Sequence, residues 1–192
     1  MRHAPIDSKL FTENRDRLKK LLPSKSLAIV NANDVLPTNA DGSLPLHPNS
    51  DLFYLSGIEQ EESILVLAPN AADEKQREIL FLREPNEHLK IWEGYKHSKE
   101  DAQKISGIKT VKWLSEFPVV FRQLMFDAGH VFLNANEHKR AVVEVETREA
   151  RFVAECRRRY PLHNYQRLAR ILHHTRAVKS ELEIDLIQQA CD

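Results

Sequence analysis

Glycine is scarce in this chain. The 192 residues contain five, Gly42, Gly57, Gly94, Gly107 and Gly129. They are too scattered to write a dinucleotide-binding fingerprint, a Walker A loop or a Gly-x-Ser-x-Gly nucleophile elbow. His-Glu-x-x-His is also missing. Cysteine is scarcer still: Cys156 and Cys191 cannot build a disulfide framework or a four-cysteine zinc site, and their number fits the reducing cytoplasm. Charge of one sign is not in excess, because 28 Lys+Arg balance 28 Asp+Glu. Without a global field to draw a polyanion, nucleic-acid binding is disfavoured. The longest apolar runs, near 64–68 and 27–30, fall far short of the roughly 20 residues that span a bilayer, so no membrane partner is expected. Residues 1–8 hold no apolar stretch of signal-peptide length. By motif alone, the chain carries no catalytic apparatus.

What is present is an ordinary globular composition, 42% hydrophobic and 29% charged. Residues 7–22 read as a helix, with Leu10, Phe11, Leu18, Leu21 and Leu22 on one face, Lys19 and Lys20 in the last turn and Pro23 as the stop. A short strand at 27–30 precedes a long Asn-, Asp-, Pro- and Gly-containing loop at 31–50. The apolar segments 52–55, 63–67 and 78–82 read as consecutive strands of one sheet. Further on, a turn is expected at 91–94, helices at 99–105 and 115–126, and strands at 110–112 and 131–133. The segment 141–159 fits both a strand alternation at Val142–Val145 and a helical stripe through Val145, Phe152, Val153 and Cys156; we read it as a helix. Residues 164–174 also read as helical. Strands interleaved with helices imply an α/β fold, and the short-linked strands imply an antiparallel portion within a mixed sheet flanked by helices.

The end of the chain is distinctive. Ser180-Glu181-Leu182-Glu183 forms a capping box, and Ile184, Ile187 and Cys191 continue a helical stripe. A helix with a well-made start and no terminating signal suggests that a second domain follows. The expected division is 1–175 for the first domain and 176–192 for the start of the next.

Single residues admit bland readings. Glu59, Glu61 and Glu62 suit a solvated acidic edge. His173 and His174, adjacent on a helix, point about 100° apart and cannot easily share a metal. Cys156 and Cys191 suit core-side positions. Arg157-Arg158-Arg159 follows Glu144, Glu146, Glu149 and Glu155, as in a mixed-charge solvated helix. His47 sits in the long loop, where it could approach a partner domain.

Asn49-Ser50-Asp51-Leu52-Phe53-Tyr54-Leu55-Ser56-Gly57-Ile58, with the acidic turn and apolar strand after it, resembles the N-terminal domain of aminopeptidase P (Xaa-Pro aminopeptidase). Leu80-Phe81-Leu82-Arg83 with Ile91-Trp92-Glu93-Gly94, and Arg176-Ala177-Val178-Lys179-Ser180-Glu181-Leu182-Glu183-Ile184, match the same family in order and spacing. The chain departs from it at His47, where an Arg is frequent, and at Lys96-His97-Ser98, where Arg-Leu-Gly is frequent.

The resemblance implies the creatinase/aminopeptidase P N-terminal fold, ribonuclease H-like, followed by the first helix of a pita-bread catalytic domain. It implies removal of the N-terminal residue from Xaa-Pro peptides by a two-manganese centre of two Asp, two Glu and one His, none of which lies before the Arg176 motif. This chain would then hold no metal or cofactor of its own. Its partners would be its own C-terminal catalytic domain, proline-containing peptides and further copies in a dimer or tetramer. Trp92 matches a tryptophan that reaches toward a neighbouring subunit's active site, although it could simply be a core or strand-end aromatic. Asp51, Phe53, Tyr54, Gly57 and Gly94 carry the structural motif: Asp51 would cap or brace a strand, and Gly57 would supply a positive φ. A stand-alone oligomerisation or binding module, and the N-terminal domain of a prolidase or creatinase relative, are the alternative readings.

Overall fold

The computed structural model describes residues 5–86 and 94–191. Among these residues, six strands form one mixed sheet in the order β4-β3-β2-β1-β5-β6. The strands are β1 (Ser26–Asn31), β2 (Ile64–Leu67), β3 (Glu78–Leu82), β4 (Thr110–Trp113), β5 (His130–Leu133) and β6 (Tyr165–Arg167). β1 pairs antiparallel with β2, and β2 with β3. The pairs β3–β4, β1–β5 and β5–β6 are parallel.

Strict alternation along the strands separates two cores. Leu27, Ile29, Ile64, Val66, Ile79, Phe81, Val131 and Leu133 face one side; Ala28, Val30, Leu65, Leu67, Leu80, Leu82 and Phe132 face the other. Both faces are therefore apolar, and both must be covered by helices. The second face packs against α1 (Ser8–Leu21), α2 (Ser50–Ser56), α3 (Lys99–Ser106) and α6 (Leu168–Ala177). The first packs against α4 (Phe117–Asp127) and α5 (Arg148–Arg159). Helix α7 (Glu181–Cys191) carries no buried residue.

The mixed α/β architecture follows the expectation, but three segments do not. Residues 52–55 are not a strand: they lie in α2. Asn49 Oδ1 accepts the amides of Asp51 and Leu52, and Gly57, at φ 69°, closes the last turn by donating to the Phe53 carbonyl at 2.7 Å. The antiparallel unit is instead β1-β2-β3, with α2 inserted between its first two strands. The helix expected over 141–159 begins only at Arg148, where Thr147 Oγ1 accepts the Ala150 amide at 3.2 Å; Val142, Val143 and Val145 are exposed in irregular chain. The helix expected over 164–174 begins at Leu168, because residues 165–167 are drawn into the sheet as β6, in register with Val131–Leu133.

Buried Arg15 ties α1 to this frame. Its side chain is wholly inaccessible and donates to Glu78 Oε2 (2.9 Å) and to the carbonyls of Leu55 (2.7 Å) and Ser106 (2.9 Å). Those carbonyls close α2 and α3, where the helix dipole favours a cation.

Candidate functional site

The first and last of the three sequence motifs meet at the ends of α1, α2 and α6. Arg176, near the end of α6, donates from Nη1 to Asp51 Oδ1 at 2.5 Å and to Ser50 Oγ at 3.3 Å, and its guanidinium lies 5.2 Å from the centre of the Tyr54 ring. Arg17 of α1 approaches from the other side. Its Nη2 donates to Tyr54 Oη (2.8 Å), Asn14 Oδ1 (2.5 Å) and Glu183 Oε2 (2.9 Å), and its Nη1 to the Val178 carbonyl (3.0 Å). Burial, with the nearby Glu183 charge, pushes the Tyr54 hydroxyl above the usual range, so it stays protonated.

Ser180 and Glu183 complete the cluster as the expected capping box. The Ser180 amide and hydroxyl donate to Glu183 Oε2 at 2.9 and 3.0 Å, and the Glu183 amide donates back to Ser180 Oγ at 3.3 Å. Burial would raise the Glu183 carboxyl, but the Ser180 donors and Arg17 outweigh it and hold the group below its ordinary range. The segment leading into α7 is thus fastened to the body of the fold by Arg17 and Arg176 together.

The network continues inward. Asp51 Oδ2 accepts from Asn134 Nδ2 at 3.0 Å. Asn134 is buried just beyond β5, and its own Oδ1 has no partner. Nearby, Glu149 of α5 is buried at the end of β1, where Asn31 donates its amide to Oε1 (3.1 Å) and its Nδ2 to Oε2 (2.8 Å). Burial pushes this carboxyl up to about 7, against the pull of its hydrogen bonds, and the Asp51 charge adds to the rise.

Asp51 therefore braces a helix start and two other elements, rather than a strand. Phe53 meets Phe11 edge to face at 5.9 Å, and Gly57 and Gly94 both take positive φ (69° and 79°). Trp92 lies outside the described residues. The acidic edge is not simply solvated: Glu61 pairs with Lys96, which is buried, and with Arg83 at 3.6 Å, while Glu62 lies 3.9 Å from Arg83. These residues line a groove of about 960 Å³ beneath the loop at 32–49, beside Asp34, Leu44 and Arg148. His47, His173 and His174 are exposed. Cys156 is buried as expected, but Cys191 is exposed on α7, whose apolar stripe meets no core. Sequence reading did not single out Arg17, Asn134 or Glu149 as site residues. The usable signal for Arg17 was its phase, since Asn14, Arg17 and Leu21 share a face with a polar interruption.

Chemically, these groups are engaged with one another, which suits positioning rather than bond making. Among the described residues, no group of three or more His, Cys, Asp or Glu side chains is placed to hold a metal ion.

The family model described as aminopeptidase P, N-terminal domain, matches residues 11–132. The chain is 26% identical to Xaa-Pro aminopeptidase of Escherichia coli (strain K12) over 142 residues, which is 74% of this chain and 32% of that protein. It is 20% identical to intermediate cleaving peptidase 55 of Schizosaccharomyces pombe over 187 residues, 97% of this chain and 38% of that protein. The solved structure of an aminopeptidase P from Bacillus anthracis superposes with a TM-score of 0.85 at 27% identity, covering 96% of this chain and 43% of that one. The chain thus spans about a third of the length of these two curated relatives.

Proposed function

Because the chain belongs to the aminopeptidase P N-terminal domain family, we propose that it serves a Xaa-Pro aminopeptidase as the non-catalytic domain that supports assembly and gates the substrate. The observation that carries this reading is the Asp51–Arg176 pair, with Arg17 on Val178 and Glu183. It gives the segment at 176–183 a fixed exit direction from the sheet domain, as a catalytic domain starting at 176 would need. A rigid launch point matters because positional errors in a bound substrate are costly to catalysis.

In this proposal the chemistry resides in the catalytic domain. By the family resemblance, the two manganese ions, and their activation of water against the scissile carbonyl, belong to that domain. The substrates are peptides with proline second, and the full-length protein is a dimer or tetramer. Trp92 faces the substrate, its flat ring suited to a proline ring. Gly94 takes φ 79°, and a Cβ added there would meet nothing within 4 Å. The cysteine usage favours the cytoplasm, and among the described residues no helix is long and apolar enough to cross a membrane.

The reading is tested by peptide hydrolysis. Residues 1–192 with added manganese give no turnover of Xaa-Pro peptides, whereas the product of the full open reading frame does. Metal-dependent turnover by 1–192 alone would overturn the division of labour. In the full-length enzyme, Trp92→Ala lowers kcat/KM without changing the melting temperature; unaltered kinetics removes Trp92 from the substrate path.

A further inference from the structure

The two faces of the sheet are covered unequally. Four helices pack on one and, among the described residues, only α4 and α5 on the other. Six strands spaced by ~4.8 Å make a surface roughly 25 Å wide, whereas two helices side by side cover about 20 Å. The shortfall appears between α4 and α5 as a groove of about 480 Å³. Its floor is aromatic. Phe117 stacks on Phe121 at 5.0 Å, and Phe121 meets Phe152 at 5.5 Å and Tyr160 at 6.1 Å. All four rings line the groove; Phe121 is 7% exposed, and Phe117, Phe152 and Tyr160 are partly buried.

The rim is basic. Arg148, Arg151 and Arg159 of α5 line the groove, with Glu155 as the carboxylate among the lining residues. Glu155 is spent on Arg159 at 2.8 Å, and Arg151 is held by Asp34 at 2.6 Å. The Arg148 side chain donates to the Glu62 carbonyl at 3.4 Å, and among the described residues no carboxylate lies in ion-pair range of it. Arg148 is also the first residue of α5, where its own amide donates to Asp34 Oδ2 at 2.9 Å, so a carboxylate already caps the positive end of the helix. One end of an apolar groove therefore presents a guanidinium that, among the described residues, no carboxylate pairs directly, with Asp34 held on the backbone amide of the same residue.

From Arg148 to Arg159 the rim follows three turns of helix, about 16 Å, which suits a peptide laid along it better than a small enclosed ligand. We propose that this groove is a docking site for an acidic, apolar peptide segment of a partner protein. An aromatic or aliphatic side chain sits against Phe121 and Phe152, and a carboxylate sits on Arg148. The groove lies on the opposite face of the sheet from α6, and Asn31, which lines it, also bonds Glu149.

Fluorescence polarisation decides the matter. The probes are a labelled peptide with two aromatic residues flanked by glutamates and its counterpart with the same aromatics flanked by lysines. The glutamate peptide binds saturably and the lysine peptide at least roughly tenfold more weakly. Arg148→Glu, an acceptable residue in the first turn of a helix, weakens the glutamate peptide by roughly tenfold while leaving the circular dichroism melt in place. Phe152→Leu, which keeps the core filled, weakens both peptides. Equal binding of the two peptides would reduce the groove to nonspecific apolar adhesion. No saturation, or no response to Arg148→Glu, refutes the proposal. Sedimentation showing a dimer that Arg148→Glu dissociates would give the groove to a second copy instead.

Discussion

Arg176 and Asp51, 125 residues apart in sequence, share a 2.5 Å charge-assisted hydrogen bond, and the same guanidinium lies over the Tyr54 ring. The contact joins the start of α2 to the end of α6. Two of the three motifs that carried the family resemblance thus converge on a single ion pair, which gives a physical reason for those residue types to occur together: a carboxylate, an aromatic face and a fork of donors fit one another.

That pair is open to a double-mutant cycle. Asp51→Ala and Arg176→Ala are each expected to destabilise the fold, and the double variant by less than their sum. The side chains are 20% and 36% exposed, so solvent screens the pair and the coupling should be about 1 kcal/mol. Urea denaturation measures it. Strict additivity would mean that the contact is geometrically close but energetically idle.

Gly57 and Gly94 offer a matched comparison. Both have positive φ, so an added Cβ is strained at either. At Gly57 the Cβ would also fall 2.5 Å from Cε2 of Phe11, which is buried and cannot swing aside; at Gly94 nothing lies within 4 Å. Gly57→Ala should cost about 3 kcal/mol and Gly94→Ala about 1 kcal/mol. Equal shifts in melting temperature would show that the Phe11 contact relaxes freely.

Much of the fold was legible because it is written in short-range terms. Short apolar runs marked β2, β3 and β5, and the Ser180 capping box marked the start of α7. The failures have a common cause. Leu52-Phe53-Tyr54-Leu55 is apolar on all sides and too short for its period to be read, so helix and strand were separable only by the Asn49 cap and the Gly57 stop, which bracket it. Tyr165–Arg167 becomes a strand through pairing with β5, which no local propensity records. The site behaves similarly. Asp51 and Tyr54 were visible through a motif, but Arg17, Asn134 and Glu149 gain their roles from partners between 37 and 166 residues away.

The two cysteines should differ in reactivity. Cys156 is 1% exposed and its thiol is pushed up to about 12 by burial, whereas Cys191 lies on the exposed face of α7. Since the thiolate is the nucleophile, iodoacetamide should modify Cys191 in the native protein and Cys156 only after denaturation. Mass spectrometry of the alkylated peptides reads this directly; native labelling at Cys156 would mean that α5 opens readily from the sheet.

Glu149 should leave its mark on stability against pH. The carboxyl is buried beside Asn31 and Asn134, with Asp51 the charged neighbour, and its folded-state value of about 7 lies above the ordinary 4.5. The folded state therefore holds this proton more tightly than the unfolded state. The contribution is fully present below pH 4.5, declines as pH rises toward about 7, and is gone above it. The displacement corresponds to about 3 kcal/mol. Glu149→Gln keeps the shape and hydrogen-bonding capacity without an ionisable group; Asn31 need only turn its amide to meet the new donor. Urea titrations at a series of pH values should show the natural chain losing stability relative to Glu149→Gln across that window, with the two curves parallel on either side. If the two chains instead track each other from acid to neutral pH, Glu149 is ionised in the fold, and the β1–β5–α5 corner must hold a buried carboxylate on the two Asn31 donors and the Asn134 amide alone.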